Sequence, residues 1–327
     1  MRNIRYQTLR TISYVSGKAP GIELIRGVKT HRLGIGLRAQ VTIAGGLGGS
    51  VRAEGVERLV PRLKLIENGE TTVELTGRLL SYLTARAQKQ AAAISQLSSA
   101  ANGTYQLSAD WVIDFAHVWG ADPSETAYVE RDSRFPTLLE IEFAANPQAE
   151  LITGSGLTLD FLRVIPFQMY DPLSTVMPFY LPRYKLITSD AVTGTQVDFP
   201  IFLYPEAGAR VEAVVLHALT DGASNPSVLN GNVTLRGDKF RYVDRVDRLS
   251  MLNETRTYFS FPVPSLSYFE FNSRFYGKLS EMFITGQDDN FRAEVDCTNP
   301  GTSTVFNALL IEKLPVPGYT RALPDRW

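Results

Sequence analysis

The sequence predicts an all-β protein built of two tandem sandwich or barrel domains. Three observations lead there. Short apolar, β-branched segments recur between glycine, asparagine and proline; one stretch alone has helical character; and segments of the first half recur in order in the second.

Arg32–Ala39, Arg62–Ile66, Thr71–Leu75, Thr137–Phe143, Leu157–Ile165, Val211–Leu219, Tyr258–Pro262 and Phe306–Leu314 are extended in character. Several alternate apolar and polar residues, as a half-buried strand does. Asn68-Gly69, between Leu63–Ile66 and Thr71–Leu75, predicts a tight hairpin, because both residues accept positive φ. Gly237-Asp238 sits in a similar setting between Val233–Leu235 and Phe240–Val243. Gly34-Ile35-Gly36 lies inside a strand pattern and marks a bulge or a close backbone approach. From Arg78 to Ala101 there is no Gly or Pro, and Leu79, Leu80, Leu83, Ala87, Ala91, Ile94 and Leu97 recur at helical spacing. One long helix over about 78–101 is expected, packed on a sheet edge.

The repetition spans about half the chain. Ile12–Gly17 matches Ile187–Gly194, Leu33–Leu37 matches Glu212–Leu216, and Arg78–Leu83 matches Arg248–Leu252 loosely. Asn146-Pro147 matches Asn299-Pro300, and Leu159–Pro166 matches Ala308–Pro315. The expected division is an N-terminal domain 1–166, a proline-rich linker 167–183 and a C-terminal domain 184–327.

Composition narrows the function. The 327 residues carry 33 Lys+Arg against 34 Asp+Glu, an ordinary globular balance that argues against coating nucleic acid over most of the surface. A single cysteine, Cys297, excludes a disulfide framework or a cysteine zinc cluster. The N-terminus lacks the apolar run of a secretory signal. The weakly charged stretch Val164–Pro182 contains Pro166, Pro172, Pro178 and Pro182, so it is no membrane-spanning helix.

The sequence contains no strong catalytic motif. There is no phosphate-loop signature and no Gly-x-Ser-x-Gly elbow. Gly45–Ser50 is glycine-rich without a dinucleotide-binding register and is expected as a flexible surface loop; with 220–231 it is a candidate exposed tip. His31, His117 and His217 are too dispersed for a metal-binding pair, and His117 and His217 are expected as structural residues. Asp288, Asp289 and Asp296 suit a solvated loop better than a calcium site. Glu140 and Glu142 share a strand face and are the one conceivable glycosidase pair. Cys297 has no evident base beside it. No catalytic, cofactor-binding or metal-binding residue is assigned, and no cofactor is expected.

Charge is regional. Residues 1–38 carry eight basic side chains, including Arg2, Arg5 and Arg10, against Glu23 alone; residues 110–150 carry nine acids against Arg131 and Arg134. Such polarity suits contact between copies of the chain, or contact of the basic segment with an anionic membrane or nucleic acid. Internal neutralisation by the fold is the equal alternative. Arginine outnumbers lysine 25 to 8, which suits interfaces.

The run Thr8–Gly17, then Gly21–Arg26, then His31-Arg32-Leu33 opening a strand, and Leu63–Leu75 feeding a helix, resembles the coat proteins of tailless icosahedral bacteriophages. The likeness is to the N-terminal domain of the corticovirus major coat protein and related prophage-encoded proteins, over roughly residues 1–90. That family stands with the tectivirus, finnlakevirus and adenovirus double jelly-roll lineage. The resemblance implies two tandem eight-stranded jelly rolls perpendicular to a shell, and homotrimers of pseudo-hexagonal outline tiling an icosahedral virion. It implies a major capsid protein rather than an enzyme, located in the virion and, before assembly, in the host cytoplasm. The implied partners are further copies, minor capsid or vertex proteins, and an internal membrane or packaged genome met by the segment of Arg2, Arg5 and Arg10. The alternatives are a minor virion protein (vertex, spike or adhesin) or a carbohydrate-active β-sandwich enzyme.

Overall fold

A computed structural model describes residues 4–16, 19–116, 127–129, 135–172, 180–229, 231–238, 241–247, 250, 265–271, 283–284, 290–298 and 303–315. The chain divides into two compact units. The first comprises 1–116 and 127–177, the second 117–126 and 178–327.

The first unit contains β1 (Arg5–Thr8), β2 (Ile12–Ser13), β3 (Gly21–Glu23), β4 (Val28–Ile43), α1 (Gly55–Arg58), β5 (Arg62–Glu67), β6 (Glu70–Leu75), α2 (Gly77–Gln88), β7 (Ala93–Ser95), β8 (Gly103–Asp114), β9 (Thr137–Glu142), α3 (Pro147–Leu151) and β10 (Leu157–Pro172). In one sheet β1 and β2 share the outer edge of β10, followed by β4, β8 and β7. In the other the order is β6-β5-β9-β3. The pairs are antiparallel throughout.

The second unit contains β11 (Tyr180–Thr188), β12 (Gln196–Phe202), β13 (Arg210–Thr220), β14 (Ala223–Ser224), a 3-10 turn at Pro226–Leu229, β15 (Asn232–Arg236), β16 (Arg241–Asp247), β17 (Leu266–Glu270), β18 (Phe283–Ile284), β19 (Arg292–Cys297) and β20 (Thr304–Pro315). One sheet runs β11-β20-β13 with β17, β18 and β14 also on β13; the other runs β12-β19-β15-β16.

The two topologies correspond strand for strand. The order β2-β10-β4-β8 becomes β11-β20-β13-β17, and β3-β9-β5-β6 becomes β12-β19-β15-β16. Each is the eight-stranded jelly roll, two Greek-key sheets of four. Three of the sequence matches fall on corresponding strands: Ile12–Gly17 with Ile187–Gly194 begin on β2 and β11, Leu33–Leu37 with Glu212–Leu216 lie on β4 and β13, and Leu159–Pro166 with Ala308–Pro315 lie on β10 and β20. Register is not repeated. Leu37 faces Val164, whereas Leu216 faces Ala308, the match of Leu159. The matches involving Arg248–Leu252 and Asn299-Pro300 fall largely outside the described residues.

Alternation builds both cores. On β4, Ile35, Leu37, Ala39, Val41 and Ile43 are buried, while Arg38, Gln40 and Thr42 between them are half-exposed. Leu63 and Leu65 of β5, Val73 and Leu75 of β6, Trp111 and Ile113 of β8 and Ile141 of β9 are likewise buried, all at most 1% exposed. Burying each such side chain contributes about 1.5–3 kcal/mol. In the second unit Val214, Leu216, Phe306, Ala308 and Leu310 of one sheet meet Ile201, Val233, Leu235, Ala293 and Val295 of the other.

The predicted hairpin forms: Asn68 and Gly69 have φ of 49° and 79°, the primed turn whose twist suits β5 and β6. Gly34 marks a close approach. It stands opposite Phe167 across β4 and β10, and a methyl there would lie 1.6 Å from the Phe167 ring.

The expected helix over 78–101 is corrected. It spans Gly77–Gln88, capped by Thr76, whose side chain accepts from the Leu79 N–H, and ended by Lys89 at φ 55°. Residues 93–95 instead form β7, paired with Ala109 and its neighbours on the edge of β8. An open strand edge nearby outweighs the helix propensity of Ala91 and Ala93. Two further expectations change. Within the supposed linker 167–183, residues 167–172 belong to β10 and 180–183 to β11. Of the segment 220–231, Val228 and Leu229 are core residues at 1% and 0% exposure, leaving Asp221, Gly222 and Ser227 exposed.

Candidate assembly surfaces

The polar residues singled out from the sequence are dispersed. His31 is buried in β4 with its Nε2 3.3 Å from Asp171 of β10, beside Gln168, whose amide donates to Thr30 Oγ1 at 2.7 Å and accepts from the Ile25 N–H at 2.9 Å. His217 is buried on β13 in the other unit, its Nε2 2.7 Å from Ser224 Oγ. His117, Asp288 and Asp289 lie outside the described residues. Asp296 of β19 ties its two neighbouring strands together, accepting from the Asp198 N–H of β12 at 3.0 Å and from the Asn232 side-chain amide of β15 at 3.4 Å. Glu140 and Glu142 stand opposite Lys64 and Arg62 in the β5–β9 ladder, where Glu74 also reaches both cations, at 3.8 and 3.1 Å. They form part of a mixed-charge sheet face. Burial pushes the Cys297 thiol up, away from the reactive thiolate, and Cys297 is 1% exposed.

The glycine-rich loop has a structural use. Gly48 N–H donates to Ser155 O at 3.0 Å, Thr153 N–H donates to Ser50 O at 2.8 Å, and a methyl on Gly49 would fall 1.6 Å from Thr153 O. The loop is exposed, but it is laid backbone-to-backbone on residues 153–156, which the expected flexible loop did not anticipate.

Among the described residues, part of the regional charge is neutralised inside the first unit. Arg32 forms a forked pair with Asp114 at 2.6 and 2.9 Å, and Arg38 reaches Asp110 at 2.7 Å, both across β4 and β8. Arg26 pairs with Glu23 at 3.1 Å, and Lys29 is buried at 3% exposure. The basic segment and part of the acidic one are therefore adjacent strands of one sheet. Arg5 and Arg10 remain exposed, while Arg2 lies outside the described residues.

Apolar exposure gathers at sheet margins. In the first unit β1 is exposed along its length, with Tyr6 69% and Ile4 38% exposed; Val15 follows at 44%, and Phe161 on β10 at 36%. Arg163 lies over the Phe161 ring at 5.2 Å, bordering a cavity of about 470 Å³ lined also by Ser13, Tyr14, Pro147 and Gln148. In the second unit the margin is β12, with Val197 67% exposed, Phe202 36% and the following Tyr204 63%. Phe202 and Tyr204 stack at 5.8 Å, with Arg292 6.0 Å from the first ring centroid and Lys185 5.7 Å from the second. Pro200, Asp198 at φ 54° and a register shift between Gln196 and Phe199 interrupt the β12 backbone. Those are devices that discourage indiscriminate strand addition at an edge. Such an edge favours contact through side chains over strand addition. The Phe202–Tyr204 strip carries no strand signal in the sequence because it lies where the pattern leaves the strand, at Leu203-Tyr204-Pro205.

No protein-family model and no curated protein matches the sequence. Solved structures do match along the whole chain. The major capsid protein of Sulfolobus turreted icosahedral virus superposes with a TM-score of 0.72 at 16% identity, covering 99% of this chain and 100% of that one. The major capsid protein of bacteriophage PM2 gives 0.61 at 11%, covering 98% and 99%, and the capsid protein of virus PBCV-1 gives 0.59 at 10%, covering 96% and 95%. With two jelly rolls of matching connectivity and these end-to-end likenesses, the chain has the double jelly-roll fold of those viral coats.

Proposed function

We propose that the chain is a major capsid protein, a non-enzymatic building block that assembles with itself into the icosahedral shell of a virion. The observation that carries this reading is the end-to-end match of both jelly rolls to major capsid proteins of two viruses, covering at least 98% of each chain. Exposed Tyr6 and Tyr204 at sheet margins suit it, since aromatic and arginine side chains are the usual anchors of protein interfaces. In this reading three copies form a pseudo-hexagonal trimer, each contributing two jelly rolls that divide between residues 177 and 178. Minor capsid or vertex proteins join the shell. The exposed Arg5 and Arg10, with Arg2, face an internal membrane or the packaged genome. Before assembly the chain resides in the host cytoplasm.

Light scattering on the purified full chain tests this. Obligate interfaces bury about 2,000–5,000 Å², so a particle of three times the 36.3 kDa chain mass, or a multiple of it, is expected at micromolar concentration. A stable monomer there overturns the reading.

A further inference from the structure

Glu312 breaks the pattern of its strand. Along β20, Phe306, Ala308 and Leu310 occupy the core face of the second unit, and Glu312 is the next residue on that face, with 0% exposure. A carboxyl group so placed must be satisfied by whatever covers it. The segment Leu203–Gly208, leaving the end of β12, provides that cover. Leu203 enters the core, and the Glu206 backbone N–H donates to Glu312 Oε1 at 2.9 Å. Glu312 Oε2 has no hydrogen-bond partner among the described residues.

The same segment is tied to β11 on either side of that bond. Arg183, directly opposite Glu312 in the register, donates to the Glu206 carboxylate, and Lys185 donates from Nζ to the Tyr204 carbonyl at 2.8 Å. The cations facing Glu312 are thus Arg183 and Lys185, and the facing anion is Glu206. On the opposite flank β13 presents Val211, itself paired with Phe283 of β18. Its charged neighbours are engaged elsewhere: Glu212 with Lys313 at 3.3 Å, and Arg210 with the Tyr180 hydroxyl at 3.0 Å.

We propose that Leu203–Gly208 is a pH-responsive latch on the end of the second jelly roll, closed over protonated Glu312 and loosened when that carboxyl ionises. Burial, opposed by the Glu206 N–H, Arg183 and Lys185, pushes the carboxyl from the ordinary 4.5 up to about 7. The sign follows from linkage. The closed state holds the proton more tightly than the open, hydrated one, so closure is strongest in acid. Its advantage is lost as pH rises from the open-state value toward the closed-state one. Between pH 5 and pH 8 these two values weaken closure by about 70-fold. The latch carries Tyr204, so its opening also dismantles the exposed Phe202–Tyr204 strip.

Hydrogen exchange of the intact chain, corrected for intrinsic rates, tests the latch. Peptides spanning 203–209 are expected to lose about 70-fold in protection between pH 5 and pH 8, while β4 and β10 stay unchanged. Glu312→Gln, which keeps the acceptor for the Glu206 N–H, is expected to hold high protection at both pH values. Glu206→Gln, at a half-exposed side chain, removes the facing anion and is expected to move the midpoint to lower pH. A pH-independent wild-type segment overturns the latch. So does an undiminished response in Glu312→Gln, or a midpoint that Glu206→Gln leaves in place.

Discussion

Replacing Glu57 with alanine is expected to cost the first jelly roll about 3 kcal/mol. Glu57 belongs to the short α1, is 3% exposed, and ties three elements together. Its Oε1 accepts from Arg78 of α2 at 2.5 Å and from Ser81 Oγ at 3.1 Å; its Oε2 accepts from the Gln96 amide at 2.8 Å. Ser81 in turn accepts from the Trp111 indole N–H at 3.0 Å, so the carboxylate anchors α2 to β8. Gly77 permits this approach: a methyl there would lie 2.1 Å from the Glu57 carbonyl oxygen. Hydrogen bonds to a charged group contribute about 1.5–3 kcal/mol each, and breaking a buried pair costs about 3–5 kcal/mol. Two fallbacks place the figure at the lower end. Arg78 also reaches Glu54 at 3.1 Å, and Ser81 also donates to the Gly77 carbonyl at 3.3 Å. The Gln96 amide loses this acceptor. For a unit of this size the loss corresponds to a fall in Tm of about 6–12 °C. Thermal and urea unfolding of the full chain read it. A loss below about 1 kcal/mol refutes the anchoring role, as does an equal cost of Glu57→Ala in an Arg78→Ala background.

Gly34→Ala is expected to cost about 1–3 kcal/mol by displacing the Phe167 ring, and most of that cost is expected to vanish in a Phe167→Ala background when both are compared by urea unfolding. Cys297, at 1% exposure, is expected to resist a thiol reagent in the native chain and to react at once in denaturant; rapid native labelling would show that the β19 core opens.

Much of the fold was legible because strand alternation and turn chemistry are local. Asn68-Gly69 announces its hairpin, and the apolar runs on β4, β10, β13 and β20 announce the paired long strands of both units. Features set by tertiary contact were not legible. Ala91, Ile94 and Leu97 fit a helix as well as they fit what they join, and the open edge of β8 decides the matter. Likewise, nothing local reveals that Arg32 and Arg38 meet Asp114 and Asp110, because those contacts depend on two strands 72 to 82 residues apart lying side by side. The internal repeat identifies the right strands but misses their register, which is fixed by side-chain packing between them. Of the candidate surfaces, Arg5 and Arg10 were visible as charge. Glu312 was hidden, since one glutamate at the end of the apolar run Phe306–Leu310 is ordinarily taken as the strand's exit to solvent.

Negative-stain imaging of the purified full chain most directly tests whether this polypeptide works by associating with its own copies. Class averages with three-fold symmetry and a six-cornered outline are the expected result. A field of single chains with no three-fold class, persisting at micromolar concentration, would contradict it.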